Sequence, residues 1–316
     1  MKIRYAKKIY LGFKKGEIIM KKILATTLAA VAALSVLSFS SCVLGGDNSD
    51  NSTNDGGKTA LVKTIEVKLT EEEYAFVTKK TNTALVESFN TFLAGIQEDG
   101  TFDALVAKYF EGKGEKVGYN VTTTDVTNTA ENLVVVTNCP FEPFEYLGDD
   151  GKIYGLDIEI AAAYAEANDL DLVIKNIGFD DIFTQVDAEY ADIGMAGITV
   201  SADREELYGF TSKYYQASQK LIVAADNTAF DNCTTVEEVE TVLAGLTNKK
   251  FGYQIGTTGG MYVNGDEDWG YAGFANLEGK GYATAQDAVV DLINGNLFAV
   301  VVDEAPANAL VKAANN

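Results

Sequence analysis

The chain has 316 residues, of which 47% are hydrophobic, enough to bury sizeable cores in two domains and incompatible with wholesale disorder. It contains no histidine, which excludes a Ser-His-Asp triad, a Cys-His dyad and imidazole-ligated zinc or haem within this chain. The net charge of −21 repels phosphodiester backbones, so no nucleic-acid partner is predicted.

Taken in chain order, residues 1–41 read as a targeting segment. Met20, Lys21 and Lys22 form a positive start, 23–39 is a nearly unbroken apolar run, and the small residues Ser40 and Ser41 lead into Cys42. Lys15, Gly16 and Glu17 back-translate to a purine-rich ribosome-binding sequence, which makes Met20 the expected true start and 20–41 the signal peptide. The step from Phe39 to Cys42 resembles a bacterial lipoprotein cleavage box, with Phe39 where Leu is usual; the resemblance implies a lipidated Cys42. An uncleaved transmembrane anchor is the alternative, because the run is close to spanning length. Under both readings the rest of the chain is extracytoplasmic. Residues 42–59 are polar and turn-forming and read as a flexible tether. Cys139 and Cys233 are too few for a disulfide framework and read as lone thiols.

A strand is predicted at 62–67, a capped short element at 70–73 and an extended piece at 74–77. Leu85, Phe89, Phe92, Leu93 and Ile96 recur with helical spacing, Gly100 breaks that helix, and Phe102, Leu105, Val106, Tyr109 and Phe110 repeat the pattern. Residues 111–132 lack periodicity and read as a linker. From 133 strands and helices alternate: strand 133–136, turn 148–151, helix 157–168, strand 172–174, helix 182–186 and strand 192–195. A second set follows, with helix 234–246 capped by Thr234 and Thr235, strand 251–253, helix 285–293 and strand 297–302 ending at Asp303. Two α/β units joined by extended segments are expected.

Five segments together resemble the extracellular solute-binding proteins of polar amino-acid ABC importers. They are LVVVTNCPFEPFEY (133–146), GLDIEI (155–160), AGITVSADR (196–204), QIGTTG (254–259) and AVVVD (299–303). The resemblance implies a two-domain periplasmic-binding-protein fold, each domain a mostly parallel sheet flanked by helices. One block is displaced. LTEEEYAFVTKK (69–80), EDGTFD (98–103) and AKYF (107–110) resemble the family's C-terminal segment, yet they precede the opening strand. This order predicts a circular permutation, with a tandem pair as the alternative. Domain one would comprise 70–219, with 111–132 joining the old ends, and domain two 60–69 with 220–316. The two crossovers would run through 70–76 and 220–223. Chain ends of compact domains lie on the surface and often close together, so such rejoining is physically tolerated.

An amino-acid receptor must meet a carboxylate, an ammonium and a side chain. A planar guanidinium can bind a carboxylate through two parallel hydrogen bonds, which makes Arg204 the carboxylate candidate. The Gly197–Thr199 turn and, from the other domain, Thr257 and Thr258 would add N–H donors. Asp303, at the C-terminal end of an apolar strand, is the ammonium candidate, with a helix N-cap as its competing role. The resemblance further implies the Gly197 carbonyl as a second ammonium acceptor, and Phe141 and Phe179 as a pair enclosing the ligand side chain. It also puts Ala196, Asn138 and Gln254 at the pocket. Asn138 stands where many members have Asp, which tilts the expected ligand towards a neutral polar amino acid, with Glu142 as a counterweight.

The resulting expectation is a monomeric, lipid-anchored, non-enzymatic receptor, without cofactor or metal, that hands a free amino acid to ABC permease subunits. A dehydratase on the same fold, using Glu142 as its acid, and a ligand-sensing domain for a membrane signalling partner are the alternatives.

Overall fold

The computed structural model describes residues 60–316 apart from 125 and 127. The targeting segment, Cys42 and the tether 42–59 lie outside the described residues. Among the described residues no helix is long and apolar enough to cross a membrane.

Two five-stranded sheets organise the chain. The first has the order β7 (Asp171–Asn176), β4 (Asn132–Thr137), β8 (Ile193–Gly194), β3 (Val77–Lys79) and β9 (Tyr208–Phe210). Strands β7, β4 and β8 are parallel, and β3 runs antiparallel to both β8 and β9. The second has the order β1 (Val62–Thr64), β11 (Gln219–Ala224), β14 (Ala299–Asp303), β12 (Lys249–Gln254) and β13 (Leu277–Tyr282). Here β14, β12 and β13 are parallel, while β11 runs antiparallel to β1 and β14. The central strands β4, β11 and β14 are buried almost throughout, as expected of strands covered on both faces.

Helices α1 (Thr83–Glu98) and α2 (Thr101–Phe110) complete the first lobe. Gly100, with φ +81°, makes the break between them. The periodic residues do what their spacing demands: Phe89, Leu93, Ile96, Leu105 and Tyr109 are buried, and Phe89 stacks on Tyr164 with ring centroids 3.8 Å apart. Tyr164 belongs to α3 (Leu156–Ala167), the helix between β4 and β7. In the second lobe, α6 (Val236–Gly245) starts at a capping box in which Thr235 Oγ1 accepts from the Glu238 N–H.

Two segments cross between the lobes. Short strands β2 (Glu72–Tyr74) and β10 (Tyr215–Ala217) pair antiparallel between the sheets, so the crossovers brace each other. Residues 220–223, expected as a crossover, are instead part of the central strand β11. Four consecutive apolar or stem-burying residues fit a covered strand better than an exposed strap, and the crossing falls just upstream.

The segment 111–132 is also more than a linker. Tyr119 exchanges backbone hydrogen bonds with Ile153, and the Thr122 N–H reaches the Ile174 carbonyl. Tyr119 and Val121 pack against Ile153, Ile158 and Ile174, covering one edge of the first sheet. Two apolar anchors suffice for this, and they are too few to produce a period. Strands β9, β10 and β13, and helix α5 (Ala202–Leu207), had no counterpart among the predicted elements. All are short or rich in Gly and polar residues.

Gly155 lies where α3 meets the turn after β4, at φ +142°. A Cβ there would sit 1.8 Å from the Phe144 carbonyl oxygen. Gly155→Ala is expected to destabilise the fold by about 3 kcal/mol or more, measured by urea unfolding.

Candidate ligand-binding site

The crevice between the lobes opens where strands end, as it does in open α/β sheets. Strand β4 leads to Asn138 and Phe141, β8 to Ala196, Gly197 and Thr199, β12 to Gln254, Thr257 and Thr258, and β14 ends on Asp303. Phe179 opens α4 (Phe179–Asp187), and Arg204 rides on α5. These eleven residues, all singled out from sequence, line one cavity together with Glu145. The lobes close tightly on it, leaving a cavity of only about 20 Å³, room for little more than a water.

Arg204 is buried between the lobes. Ser201 caps its short helix by accepting from the Arg204 N–H at 3.2 Å, which aims the side chain into the crevice. Nη1 donates to the Thr199 carbonyl at 2.8 Å, and Nη2 to the Gly256 carbonyl of the second lobe at 3.2 Å. Burial lowers its pKa to about 10, so it stays cationic at neutral pH. Five N–H donors, two of them used, leave donors for a ligand carboxylate.

Asp303 is buried and accepts from Tyr74 Oη at 2.5 Å. Burial, with the nearby Glu72 carboxylate, pushes its pKa up. It occupies the N-cap position of α9 (Glu304–Asn315), but its side chain makes no capping bond, so the capping role is not realised. The carboxylate is directed at the crevice instead.

Gly197 has φ +54°, and a Cβ on it would meet the Phe141 ring at 2.5 Å, so only glycine lets this turn approach the aromatic wall. Its N–H is already committed to Asp157 Oδ2 at 3.1 Å. Asp157 also accepts from Tyr214 Oη at 2.7 Å, and burial raises its pKa to about 7. At the other side-chain pair, Gln254 Nε2 donates to Asn138 Oδ1 at 2.7 Å across the lobes, while Asn138 Nδ2 donates to the Ile177 carbonyl at 2.6 Å.

Glu142 does not reach the cavity. It is half exposed and faces Lys116 at 3.9 Å, so neither the counterweight nor the acid role expected of it has a structural basis. Sequence reasoning also passed over three residues. Glu145 is fully buried, lines the cavity, and has no hydrogen-bond partner on either carboxylate oxygen. Its position between Phe144 and Tyr146 was the available signal. Glu72 Oε2 accepts from Thr199 Oγ1 at 2.7 Å and Thr258 Oγ1 at 2.9 Å, so a carboxylate from the first crossover ties both lobes. Trp269, the single tryptophan, lies with its ring 4.9 Å from the Arg204 guanidinium carbon. Nothing local marks either of these two.

A two-lobed α/β fold with a buried guanidinium and a buried carboxylate facing one interlobe cavity is the architecture of cleft-binding proteins. Residues 133–308 match the bacterial extracellular solute-binding proteins, family 3, and the chain belongs to that family. Among its relatives, ABC transporter arginine-binding protein 1 of Escherichia coli K12 is 24% identical over 185 residues, covering 58% of this chain and 68% of the relative. The L-cystine-binding protein TcyJ of the same organism is 25% identical over 184 residues, covering 58% of this chain and 63% of the relative. An ancestral arginine-binding protein solved with arginine superimposes with a TM-score of 0.52 at 28% identity, over 60% of this chain and 77% of that one. The matches thus span about two thirds of the curated relatives' lengths. These relatives are binding proteins, and the chain is a binding protein rather than an enzyme.

Burial, reinforced by Asp157, pushes the Glu145 pKa well above the ordinary carboxylate value. Between that ordinary value and the raised one, the folded chain binds more protons than the unfolded chain, so stability falls as pH rises. Asp157 acts in the same direction up to about pH 7. The melting temperature is therefore expected to drop by a few degrees between about pH 5 and 8, and Glu145→Gln to flatten part of that slope in differential scanning calorimetry.

Proposed function

We propose that the protein captures a free L-α-amino acid in the crevice by closing its two lobes, and delivers it to an ABC permease from a lipid anchor on Cys42. One observation carries the reading: Arg204 from the first lobe and Asp303 from the second face the same cavity. A zwitterion with its carboxylate on the guanidinium and its ammonium on Asp303 spans the lobes, so it binds the closed form better than the open one and draws the equilibrium towards closure. Glu72 supports the same geometry by holding the hydroxyls of Thr199 and Thr258.

The side-chain end of the cavity favours a donor-rich, cationic tip over the neutral one expected from Asn138. One N–H of the Asn138 amide and one of the Gln254 amide are taken by internal acceptors, and each amide has a second N–H. The reading rests on the Glu145 carboxylate, which lines the cavity and whose two oxygens lack hydrogen-bond partners. A buried carboxylate left alone is costly, whereas one facing a guanidinium or ammonium is satisfied. Such a ligand would also ionise Glu145 on binding.

We further infer that the chain is circularly permuted relative to its family. The family match begins at 133, while β3 and helices α1 and α2 from the segment before it complete the first lobe. Asn315 Oδ1 accepts from the N–H groups of Leu61 and Val62 at 2.8 and 3.2 Å, which puts the two ends of the second lobe side by side. A variant with residue 316 joined to residue 60 by a short linker, and opened within 111–132, is expected to fold and bind with unchanged stoichiometry, checked by circular dichroism and calorimetry.

Isothermal titration with L-arginine and its neutral isostere L-citrulline tests the ligand reading. Arginine is expected to bind at least thirtyfold more tightly, and Glu145→Gln to abolish that preference. Arg204→Ala is expected to lose about 3–5 kcal/mol of binding, a hundredfold or more, for every amino acid that binds. Failure of all common amino acids to raise the melting temperature would refute the receptor reading outright. For the anchor, Cys42→Ser is expected to move the protein from the membrane fraction to the soluble one.

A further inference from the structure

A buried guanidinium has an edge of N–H donors and two apolar faces, and both need partners. The edge of Arg204 is shared between the Thr199 and Gly256 carbonyls and the cavity. One ring neighbour is Phe183, 4.8 Å away, on α4 of the first lobe, with Phe179 of the same helix at 5.8 Å. The other is Trp269, 4.9 Å away, from the second lobe. Trp269 does not line the cavity, so any effect it has on a ligand passes through Arg204.

The loop that carries the indole is built to hold it. Asp266 and Tyr271 exchange backbone hydrogen bonds at 2.8 and 2.9 Å, forming a tight hairpin base. Asp266 Oδ1 accepts from the N–H groups of Asp268 and Trp269 at 3.1 and 3.2 Å, fixing the tip. Tyr271 packs edge-on against Tyr262 in the second-lobe core. The same tip carries a cost: the carboxylates of Asp266 and Asp268 lie within 4.8 Å of that of Asp203, which precedes Arg204 in the first lobe. Like charges meeting across the crevice oppose closure, and burial with those two aspartates raises the Asp203 pKa. An attractive contact on the same loop is what brings it across.

We propose that Trp269 is a closure-dependent positioning residue: from the second lobe it covers a face of the Arg204 guanidinium, fixes the plane in which the ligand carboxylate is held, and slows ligand release. The proposal rests on the receptor reading above. Phe183 and Arg204 ride together on one lobe and Trp269 on the other, so the indole contact is made on closing and lost on opening. A cation–π contact in a desolvated site accounts for a factor of about 2 to 30 in an equilibrium. Because the contact follows encounter, the factor belongs in the dissociation rate rather than the association rate.

The lone tryptophan is its own reporter. L-Arginine added to the full-length protein is expected to shift the intrinsic emission, and stopped-flow fluorescence then gives both rates. Trp269→Ala, followed by competition or calorimetry, is expected to raise the dissociation rate about tenfold while association changes less than twofold and the ligand-free melting temperature stays within about a degree. Trp269→Phe is expected to restore most of the affinity, and Trp269→Leu, apolar but without a π face, to restore little. Three results would overturn the proposal: an L-arginine melting shift with no emission change, an unaltered dissociation rate in Trp269→Ala, or Leu rescuing as well as Phe. If no common amino acid shifts the melting temperature, the receptor reading itself fails, which the melting data alone reveal.

Discussion

A positive charge buried between two bodies is the constraint from which the rest of this structure follows. Arg204 cannot be left in a dry crevice without compensation, and neither lobe supplies all of it. Thr199 and Phe183 come from one side, Gly256 and Trp269 from the other, and three carboxylates, Glu72, Asp180 and Asp303, lie within electrostatic reach. The guanidinium is therefore satisfied by the meeting of the lobes. In the proposed complex a ligand carboxylate joins that set.

The acidic partners show why the two ends of the crevice differ in character. Asp303 is restrained by Tyr74, and Glu72 by three hydroxyls, those of Thr70, Thr199 and Thr258. Both are ordered by protein donors. Glu145 has no such donors and sits among Phe141, Phe144 and the Asp157 carboxylate. A group in that condition holds a proton unless a cation reaches it. These three carboxylates thus differ in character through their hydrogen-bond supply rather than through residue type.

The block before the first strand of the family match matters for the crevice as well as for topology. Residues 70–76 are at once a crossover, a source of the cleft carboxylate Glu72, and the origin of Tyr74, which orients Asp303. Because β2 pairs with β10, whatever moves one strap moves the other.

What the sequence determined by itself was whatever depends on local pattern or on a motif with fixed spacing. The periodic apolar residues of 85–110 marked a helix pair, the run 133–136 a covered strand, and four of the five motif segments a set of strand ends that line one cavity, the fifth, 155–160, opening α3. Short elements such as β9 and α5, the edge-covering path of 111–132, and the true crossing points beside β11 were decided by tertiary packing, because each is held by partners distant in the chain. The same holds for Glu72, Glu145 and Trp269. Their importance lies in what faces them across the crevice, from residues 100 or more positions away for Glu72, or in the absence of any donor nearby. A linear pattern records spacing along the chain, whereas burial, pairing and the meeting of two lobes exist only once the chain has folded.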